Sequence, residues 1–470
     1  MHGEPVWDDV PETLRTLIAP LLAKDPAARP APDAIVKSFA PPRGADRDWR
    51  RGPVAEDIKK REEDVRALLA PTQPSVGLQV SRRRLLTGFA AGGTLLATAG
   101  GTAAWLLRSQ TTKKPDLFAF PPAVKTPAAR VLSADEGDFV VGEPPKPLWG
   151  PVRVLHADSP APLPVRDVIV FGAAAGGLAA HNVVDGKRRW AAADVHAPGR
   201  YLSLSDCLIA AVGTDGKLLT FVASTGEPKW TAPAEAAWLL AADDEAVYVV
   251  TKDRRVRAVG RSDARIRWTV ELSASLAGKT GPRGVAGRGR LVVATVDGDV
   301  VALDTSDGRK VWDLRSQSEG LVRPAVADDT VYLNGRTLTA RALADGKERW
   351  TAEVKLVSGE NPPWGPPMVH GQFVFAVQGD WPRRLNRGDG STGEWEALYK
   401  GGRLGPIVAQ GSGWWTIQDT ARREVQAVDV ENGRLVWSYE QKSPKSSWIT
   451  ADGNRVFVVG DAELTALPVF

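Results

Sequence analysis

The sequence predicts an all-β protein, an eight-bladed β-propeller that occupies residues 144–470. Three observations support this fold class: a tryptophan recurs at a spacing of about 40 residues, six of the copies follow a glycine-containing tight turn, and the two ends of the region complement each other. A fixed period of this length is typical of repeat folds, because one unit cannot bury its apolar faces alone. The repeated tryptophans are Trp149, Trp190, Trp230, Trp268, Trp312, Trp350, Trp395 and Trp437.

Each repeat reads as short apolar strands joined by glycine-containing turns. In the clearest copy, residues 291–294 and 300–303 flank Asp297-Gly298, and Asp307-Gly308 leads into the strand that carries Trp312. Asp-Gly and Asn-Gly accept positive φ, so they close tight hairpins. A tryptophan at one fixed place in each unit is large enough to fill the gap between neighbouring blades.

The ends of the region indicate how the ring closes. The last repeat supplies strands at residues 455–459 and 463–467 and then ends at Phe470, without a strand that carries tryptophan. The first repeat begins with only residues 146–149. We therefore expect strand-exchange closure, in which the N-terminal strand completes the last blade.

The totals exclude several classes of site. The net charge of +4 is small for 470 residues, and no basic patch interleaved with aromatics suggests nucleic-acid binding. The single cysteine, Cys207, excludes an intrachain disulfide and a cysteine-based metal cluster, and its apolar surroundings predict a buried strand thiol. The histidines are isolated, so no metal site is predicted.

The segment before the propeller reads as four zones. Residues 1–40 show helical spacing of leucines, and residues 41–80 form a polar, proline-containing linker in the cytoplasm. Residues 81–108 contain an apolar segment, and residues 109–143 read as a second, extracytoplasmic linker.

The apolar segment, residues 85–107, has no charged residue and is long enough to cross a bilayer as a helix. Three arginines, Arg82 to Arg84, precede it, which favours a cytoplasmic N-terminus. Residues 81–86 also resemble a twin-arginine export signal, and residues 97–99 offer a small-residue cleavage pattern. A retained single-pass anchor and a cleaved signal both place the propeller outside the cytoplasm.

The repeat resembles the PQQ-type propeller repeat of quinoproteins, most clearly at residues 301–312. Two repeats depart from this frame: residues 262–264 lack the turn glycine, and residues 381–390 are expanded. Quinone-dependent dehydrogenases of this kind use a catalytic aspartate, calcium ligands and often a vicinal cysteine pair, which Cys207 alone cannot form. We therefore expect neither an enzyme nor a bound quinone, with a PQQ-dependent dehydrogenase as the alternative.

The same ring occurs in outer-membrane assembly lipoproteins. That resemblance implies a lipidated cysteine directly after the signal, and no cysteine lies near residue 100. The sequence therefore favours another kind of binding protein.

Residues 7–39 resemble the closing segment of a bacterial Ser/Thr protein kinase domain, chiefly through residues 24–30, Lys-Asp-Pro-Ala-Ala-Arg-Pro. The chain contains no glycine-rich phosphate loop, no His-Arg-Asp motif and no Asp-Phe-Gly motif, which phosphoryl transfer in that family requires. The order kinase, linker, membrane helix, propeller is typical of receptor kinases. The resemblance thus implies a kinase remnant or, alternatively, the C-terminal half of an active kinase with a mis-called start.

The innermost strands of a propeller line its central channel, so residues that lead into these strands are candidates for ligand binding. Out-of-register tryptophans and arginines at these places could hold a sugar or an anionic group. The alternative is that the tryptophans plug the channel and the arginines are solvated. The candidate residues are Trp238, Arg283, Arg323, Trp364 and Trp448.

Together these patterns predict a membrane-tethered, extracytoplasmic propeller that acts as a sensor or interaction domain. Its partner is expected to be an extracytoplasmic ligand or protein, with the membrane contacted through residues 85–107.

Overall fold

A computed structural model describes residues 116–470 except 123, 273–275, 277–280, 319–321, 353–360, 394, 396–407, 412, 418–423 and 442–446. The chain divides into two compact units, Met1–Thr111 and Thr112–Phe470, and all described residues belong to the second. The kinase-like segment, the first linker and the apolar segment 85–107 therefore lie outside the described residues. Within the described part, which contains no α-helix, no helical membrane span is found.

The described residues form strands joined by turns and loops. The strands are β1 Trp149–Arg153, β2 Leu163–Val165, β3 Val168–Gly172, β4 Leu178–Asn182, β5 Arg188–Ala192, β6 Tyr201–Leu204, β7 Leu208–Val212, β8 Leu218–Val222, β9 Pro228–Ala232, β10 Ala236–Ala242, β11 Ala246–Thr251, β12 Val256–Gly260, β13 Ile266–Val270, β14 Arg283–Gly287, β15 Arg290–Ala294, β16 Val300–Asp304, β17 Lys310–Leu314, β18 Ala325–Ala327, β19 Thr330–Leu333, β20 Thr339–Ala342, β21 Glu348–Thr351, β22 Met368–His370, β23 Phe373–Gln378, β24 Trp381–Asn386, β25 Val408–Gln410, β26 Gly413–Ile417, β27 Glu424–Asp429, β28 Leu435–Glu440, β29 Ser447–Asp452, β30 Arg455–Gly460 and β31 Glu463–Pro468.

These strands form antiparallel sheets that follow one another along the chain, which confirms the predicted all-β propeller. Seven sheets have four strands, and the sheet β22–β24 has three described strands. The four-stranded sheets are β2–β5, β6–β9, β10–β13, β14–β17, β18–β21, β25–β28 and β29–β31 with β1.

Contacts between innermost strands arrange the sheets as blades around a channel. Strand β2 contacts β6, and the contacts continue through β10, β14 and β18 to β22. Strands β25 and β29 contact each other, and β29 returns to β2. Between β22–β24 and β25–β28, Phe375 and Val377 pack with Val428 in one buried cluster.

The ring is fastened by a strand from the start of the propeller region. Strand β1 pairs antiparallel with β31, with Trp149 opposite Ala466 and Val152 opposite Leu464. The amide of Leu148 extends this ladder by donating to the Ala466 carbonyl at 2.8 Å. The last blade is thus built from both ends of the region.

The repeated tryptophans join one blade to the next. In five copies the indole Nε1 donates to a backbone carbonyl of the following blade at 2.7–3.0 Å. The turn glycine of that blade, at positive φ, lies on the indole, so a methyl group added there would collide with the ring. The tryptophan and glycine pairs are Trp149 with Gly186, Trp190 with Gly226, Trp268 with Gly308, Trp312 with Gly346 and Trp350 with Gly390.

The two irregular repeats solve the turn differently. Ala264 occupies the position of the missing glycine and still adopts φ +55°. Its blade follows Trp230, and Phe118 from outside the repeat packs on that tryptophan. In the expanded repeat, β24 is six residues long. Gly390 of this repeat still lies on the indole of Trp350, as the turn glycine does in the regular repeats.

Residues 116–122 and 124–142, which read as part of a linker in the sequence, contact the propeller; we call them the N-terminal strap. Their backbone bonds to the last blade, with Ala129 donating to Gly453 at 2.9 Å and Leu132 to Val469 at 2.8 Å. Phe139 packs on Phe470, with ring centroids 6.1 Å apart. The prolines in this segment suggested a spacer, but Phe118 and Phe139 pack on aromatic rings of the blades.

Candidate binding site at the channel mouth

A cavity of about 350 Å³ opens where the innermost strands begin. We call this cavity the mouth. Its lining comes from five blades, so it exists only when the ring is closed. The lining residues are Pro160, Ala161, Pro162, Leu163, Arg200, Tyr201, Leu202, Arg283, Gly284, Arg323, Pro324 and Trp448.

Arg200 precedes β6 and is held against the next blade. Its Nη1 donates to the carbonyls of Leu239 at 3.2 Å and Leu240 at 2.9 Å, both in β10. Burial lowers the pKa of Arg200 to about 10, and the positive charges of Arg283 and Arg323 act in the same direction. Arg200 is therefore cationic at neutral pH and is repelled by its two neighbours.

Arg283 begins β14, and Arg323 lies just before β18. Burial lowers the pKa of both guanidinium groups, and Arg323 lowers that of Arg283 further. Within the described residues neither side chain makes an ion pair, and the buried Nε of Arg283 has no hydrogen-bond partner. The mouth therefore holds positive charge that no described carboxylate balances.

Two buried side chains position this wall of the mouth. The hydroxyl of Tyr201 donates to the carbonyls of Pro160 at 3.2 Å and Ala161 at 3.0 Å, which fixes the rim segment before β2. Asn334 accepts the backbone amide of Arg323 at 2.7 Å and donates to the Trp364 carbonyl at 3.1 Å. The arginines are thus presented by backbone that is itself held in place.

The structure brings together three of the five residues predicted from the sequence: Arg283, Arg323 and Trp448 all line the mouth. Trp238 packs instead on Gly281 and the apolar cluster around Leu240. Trp364 is 1% exposed and packs between the fifth and sixth blades, so neither of these tryptophans reaches the mouth.

Arg200 was not predicted from the sequence, although it lies close to the position in the repeat that Arg283 and Arg323 share. Arg283 lies seven residues before the second strand of its blade, as does Arg323, whereas Arg200 lies eight residues before β7. An offset of one residue in a strand normally moves a side chain to the other face. The alternation does not apply to Arg200, because this residue lies before β6 and not within a strand. Its side chain extends toward β10 of the next blade.

Chemically, the mouth suits an anion with more than one acceptor oxygen. A guanidinium presents a rigid fork of donors that matches a carboxylate or phosphate. Trp448 and Leu202 add apolar surface beside the arginines. A ligand with both acidic and apolar groups would use the whole lining.

The repeat resemblance also implies a quinone cofactor, and the mouth does not fit it. The family's chemistry needs a carboxylate base and oxygen ligands for calcium, but the lining holds no Asp, Glu, Asn or Gln side chain. Cys207 lies in the turn between β6 and β7, near Pro121, Pro122 and Val124 of the strap, and does not line the mouth. It is half-buried, so the prediction of a buried strand thiol is wrong.

The model of one protein family matches most of the chain. This family, PQQ_2, is described as outer membrane protein assembly factor BamB, and the match covers residues 33–270 and 267–380. The sequence analysis had disfavoured this resemblance to outer-membrane assembly proteins, because no cysteine for lipidation lies near residue 100.

Curated relatives are similar over part of their length. The outer membrane protein assembly factors BamB of Salmonella typhimurium and of Escherichia coli K12 are each 28% identical over 239 residues, which cover 46% of this chain. The matched region spans 59% of the length of each of these relatives.

Among solved structures, the computationally designed protein Ika8 is similar with a TM-score of 0.57. It is 12% identical, and the match covers 69% of this chain and 100% of the designed one. At this identity the likeness concerns the propeller fold alone.

Proposed function

Because the chain belongs to the PQQ_2 family, described as outer membrane protein assembly factor BamB, we propose that its propeller is a protein-binding module and not an enzyme. The observation that carries this proposal is the mouth. It is an open concave site on a ring of paired strands, and it presents guanidinium, indole and aliphatic groups toward solvent. Arginine and tryptophan are enriched among the residues that dominate the energy of protein interfaces.

The proposed location is the extracytoplasmic face of a membrane. The uncharged segment 85–107 supports a retained anchor that would hold the propeller there, and a cleaved twin-arginine-like signal would release it on the same side. The name of the relatives, which places them in outer-membrane assembly, is compatible with either arrangement.

The ring is proposed to contain eight blades. Trp395 supports an outermost strand for the sixth blade, because its buried indole meets the ring of Phe375 edge-on at 6.4 Å between centroids. This is the place that the repeated tryptophan holds in the other blades.

A sensor role linked to a kinase is a second, separate proposal. It rests on the resemblance of residues 24–30 to the end of a kinase domain. Sequencing the DNA before the codon for Met1 tests it: an in-frame kinase core supports a receptor, and its absence leaves a membrane-tethered binding protein.

Protein binding at the mouth is tested by site-specific crosslinking in cells. A photoreactive amino acid at Leu202, inside the mouth, is expected to yield one discrete crosslinked protein, whereas the same group at the exposed Val184 yields none. Excess purified propeller chain should compete with the Leu202 product. Equal, uncompeted crosslinking from both positions would rule out the mouth as the contact site.

The location is tested by alkylation in intact cells. Val184→Cys in a Cys207→Ser background provides one exposed thiol on the propeller. A reagent that cannot cross membranes should label it in cells whose inner membrane is intact. Labelling only after lysis would contradict an extracytoplasmic propeller.

A further inference from the structure

Three arginines meet at the mouth from three different blades. Arg200 belongs to the second blade in chain order, Arg283 to the fourth and Arg323 to the fifth. The side chains lie close enough for the positive charges of Arg283 and Arg323 to act on Arg200. Like charges brought together without a counter-charge disfavour the empty site, and a bound anion would remove that repulsion.

The donors of these arginines are largely unused. Nη1 of Arg200 donates to two carbonyls of β10, which holds the guanidinium group in place and leaves its positive charge unneutralised. The guanidinium groups of Arg283 and Arg323 have no hydrogen-bond partner among the described residues, and the Nε of Arg283 is buried. A buried donor without a partner costs free energy, so an acceptor that reaches it gains more than one on an open surface.

We propose that Arg200, Arg283 and Arg323 form a site for an acidic segment of a protein, with two or more carboxylates bound at the guanidinium groups and an apolar side chain on Trp448. This inference rests on the proposed function and names the chemistry of the partner. A peptide suits the mouth better than a small free acid, since the lining continues from the arginines to the indole and to Leu202. The rim of the mouth includes prolines at residues 160, 162 and 324, whose rings fix the backbone φ angle.

Binding of a defined peptide to the purified full-length chain tests the proposal. The probe is a fluorescent hexaglutamate peptide with blocked ends, and hexaglutamine of the same length is the control. We expect hexaglutamate to bind at 50 mM NaCl and to weaken as salt is raised to 500 mM, because the charges are screened. Hexaglutamine should not bind. Failure of hexaglutamate to bind at low salt would overturn the proposal.

Variants locate the site. Arg283→Met and Arg323→Met should each weaken hexaglutamate binding by about tenfold or more, the range for losing one charge-assisted hydrogen bond. Arg188→Met removes an equal charge from the exposed strand β5 and should leave the affinity unchanged. Equal weakening by all three would mean that only net charge matters, and the site would be rejected.

Thermal unfolding separates binding from folding. Removing one of three mutually repelling charges should leave the melting temperature of the Arg283 variant unchanged or higher while its affinity falls. A purely structural arginine would show the opposite, with the melting temperature lowered. Arg283→Lys keeps the charge but loses the planar fork, so intermediate affinity is expected at unchanged stability.

A small polycarboxylate distinguishes the source of the anion. Citrate should compete with hexaglutamate only weakly, because it has three carboxylates and no chain that continues along the lining toward Trp448. If citrate binds as tightly as hexaglutamate, the mouth is a site for a small acid and the peptide assignment is wrong. If hexaglutamate fails while the Leu202 crosslink persists, the acidic-segment inference fails and the protein-binding proposal stands.

Discussion

The ring of Phe118 stacks on the indole of Trp230, with centroids 6.4 Å apart and planes inclined by 28°. At five other repeated tryptophans a turn glycine of the next blade lies directly on the indole. The blade after Trp230 has Ala264 at that turn, and Phe118 and Ala264 both pack against the cluster that contains the indole. The strap thus covers a joint where the repeat departs from its own pattern.

Replacing Phe118 with alanine should therefore weaken the joint between the second and third blades. We expect Phe118→Ala to lower the free energy of unfolding by about 1–2 kcal/mol, since a half-buried aromatic contact is lost. Urea unfolding followed by tryptophan fluorescence measures the change. The neighbouring Leu117 is 51% exposed, and Leu117→Ala should change stability by less than about 0.5 kcal/mol. Equal effects would show that the strap is only loosely attached.

The turn glycines make a second prediction, with a control inside one blade. Gly308 has φ +77°, and a β-carbon there would lie 2.7 Å from the indole of Trp268. Gly289 has φ +75° but nothing within 4 Å of an added β-carbon. Gly289→Ala should cost about 1–2 kcal/mol for backbone strain, and Gly308→Ala a further 1–3 kcal/mol or so for the collision.

Thermal or urea unfolding of the two glycine variants gives the comparison. The difference between them reports the collision with Trp268 and Val270 of the preceding blade, because both positions require a left-handed backbone. Equal destabilisation would mean that the glycine serves only the turn and not the joint between blades.

The propeller follows from local sequence more directly than the site does. Gly308 and Trp312 are only four positions apart, and each carries its own signal: Asp307-Gly308 indicates a hairpin turn and Trp312 supplies a large apolar ring. The contact between Phe118 and Trp230 joins residues 112 positions apart, and a proline-rich stretch gives no local sign of it. Long-range packing of a segment outside the repeat is what periodicity cannot predict.

The mouth shows the same limit. Arg283 and Arg323 could be predicted because they share one position in the repeat, but Arg200 lies one residue off that position. Trp364 was selected by the same reasoning, yet its bridge to Gln378 turns it into the core, where it is 1% exposed. The repeat predicts where a strand begins, while the side chain that fills the space depends on both neighbouring blades.

His181 gives the fold a defined dependence on pH. Burial lowers the pKa of His181 below its ordinary value, a hydrogen bond from Nδ1 to the Gly186 carbonyl at 2.7 Å opposes this, and Arg188 adds to the lowering. The unfolded chain then binds a proton at higher pH than the folded chain. The free energy of unfolding should fall as pH drops below about 6.5 and stop falling below the folded pKa.

Unfolding midpoints measured between pH 8 and pH 5 check this prediction. His181→Asn keeps a donor near the position of Nδ1 and should flatten the pH dependence of the unfolding midpoint. His370 is exposed, and His370→Asn should leave that pH dependence as it is in the parent chain. An unchanged slope in the His181 variant would assign the pH dependence to other groups.

The closure of the ring makes the last prediction, because one strand joins the two ends of the propeller. The amide of Leu148 donates to the Ala466 carbonyl at 2.8 Å, while its side chain is 41% exposed. Leu148→Pro removes the donor and should lower the free energy of unfolding by about 1–3 kcal/mol, whereas Leu148→Ala keeps it and should lower it by less than about 1 kcal/mol.

Each blade buries its faces only against its neighbours, so opening the ring at β1 exposes two blade faces at once. The proline variant should therefore lower the midpoint of a single unfolding transition for the whole propeller. A separate early transition with the main one unchanged would mean that β1 frays alone, and that the other joints hold the ring without it.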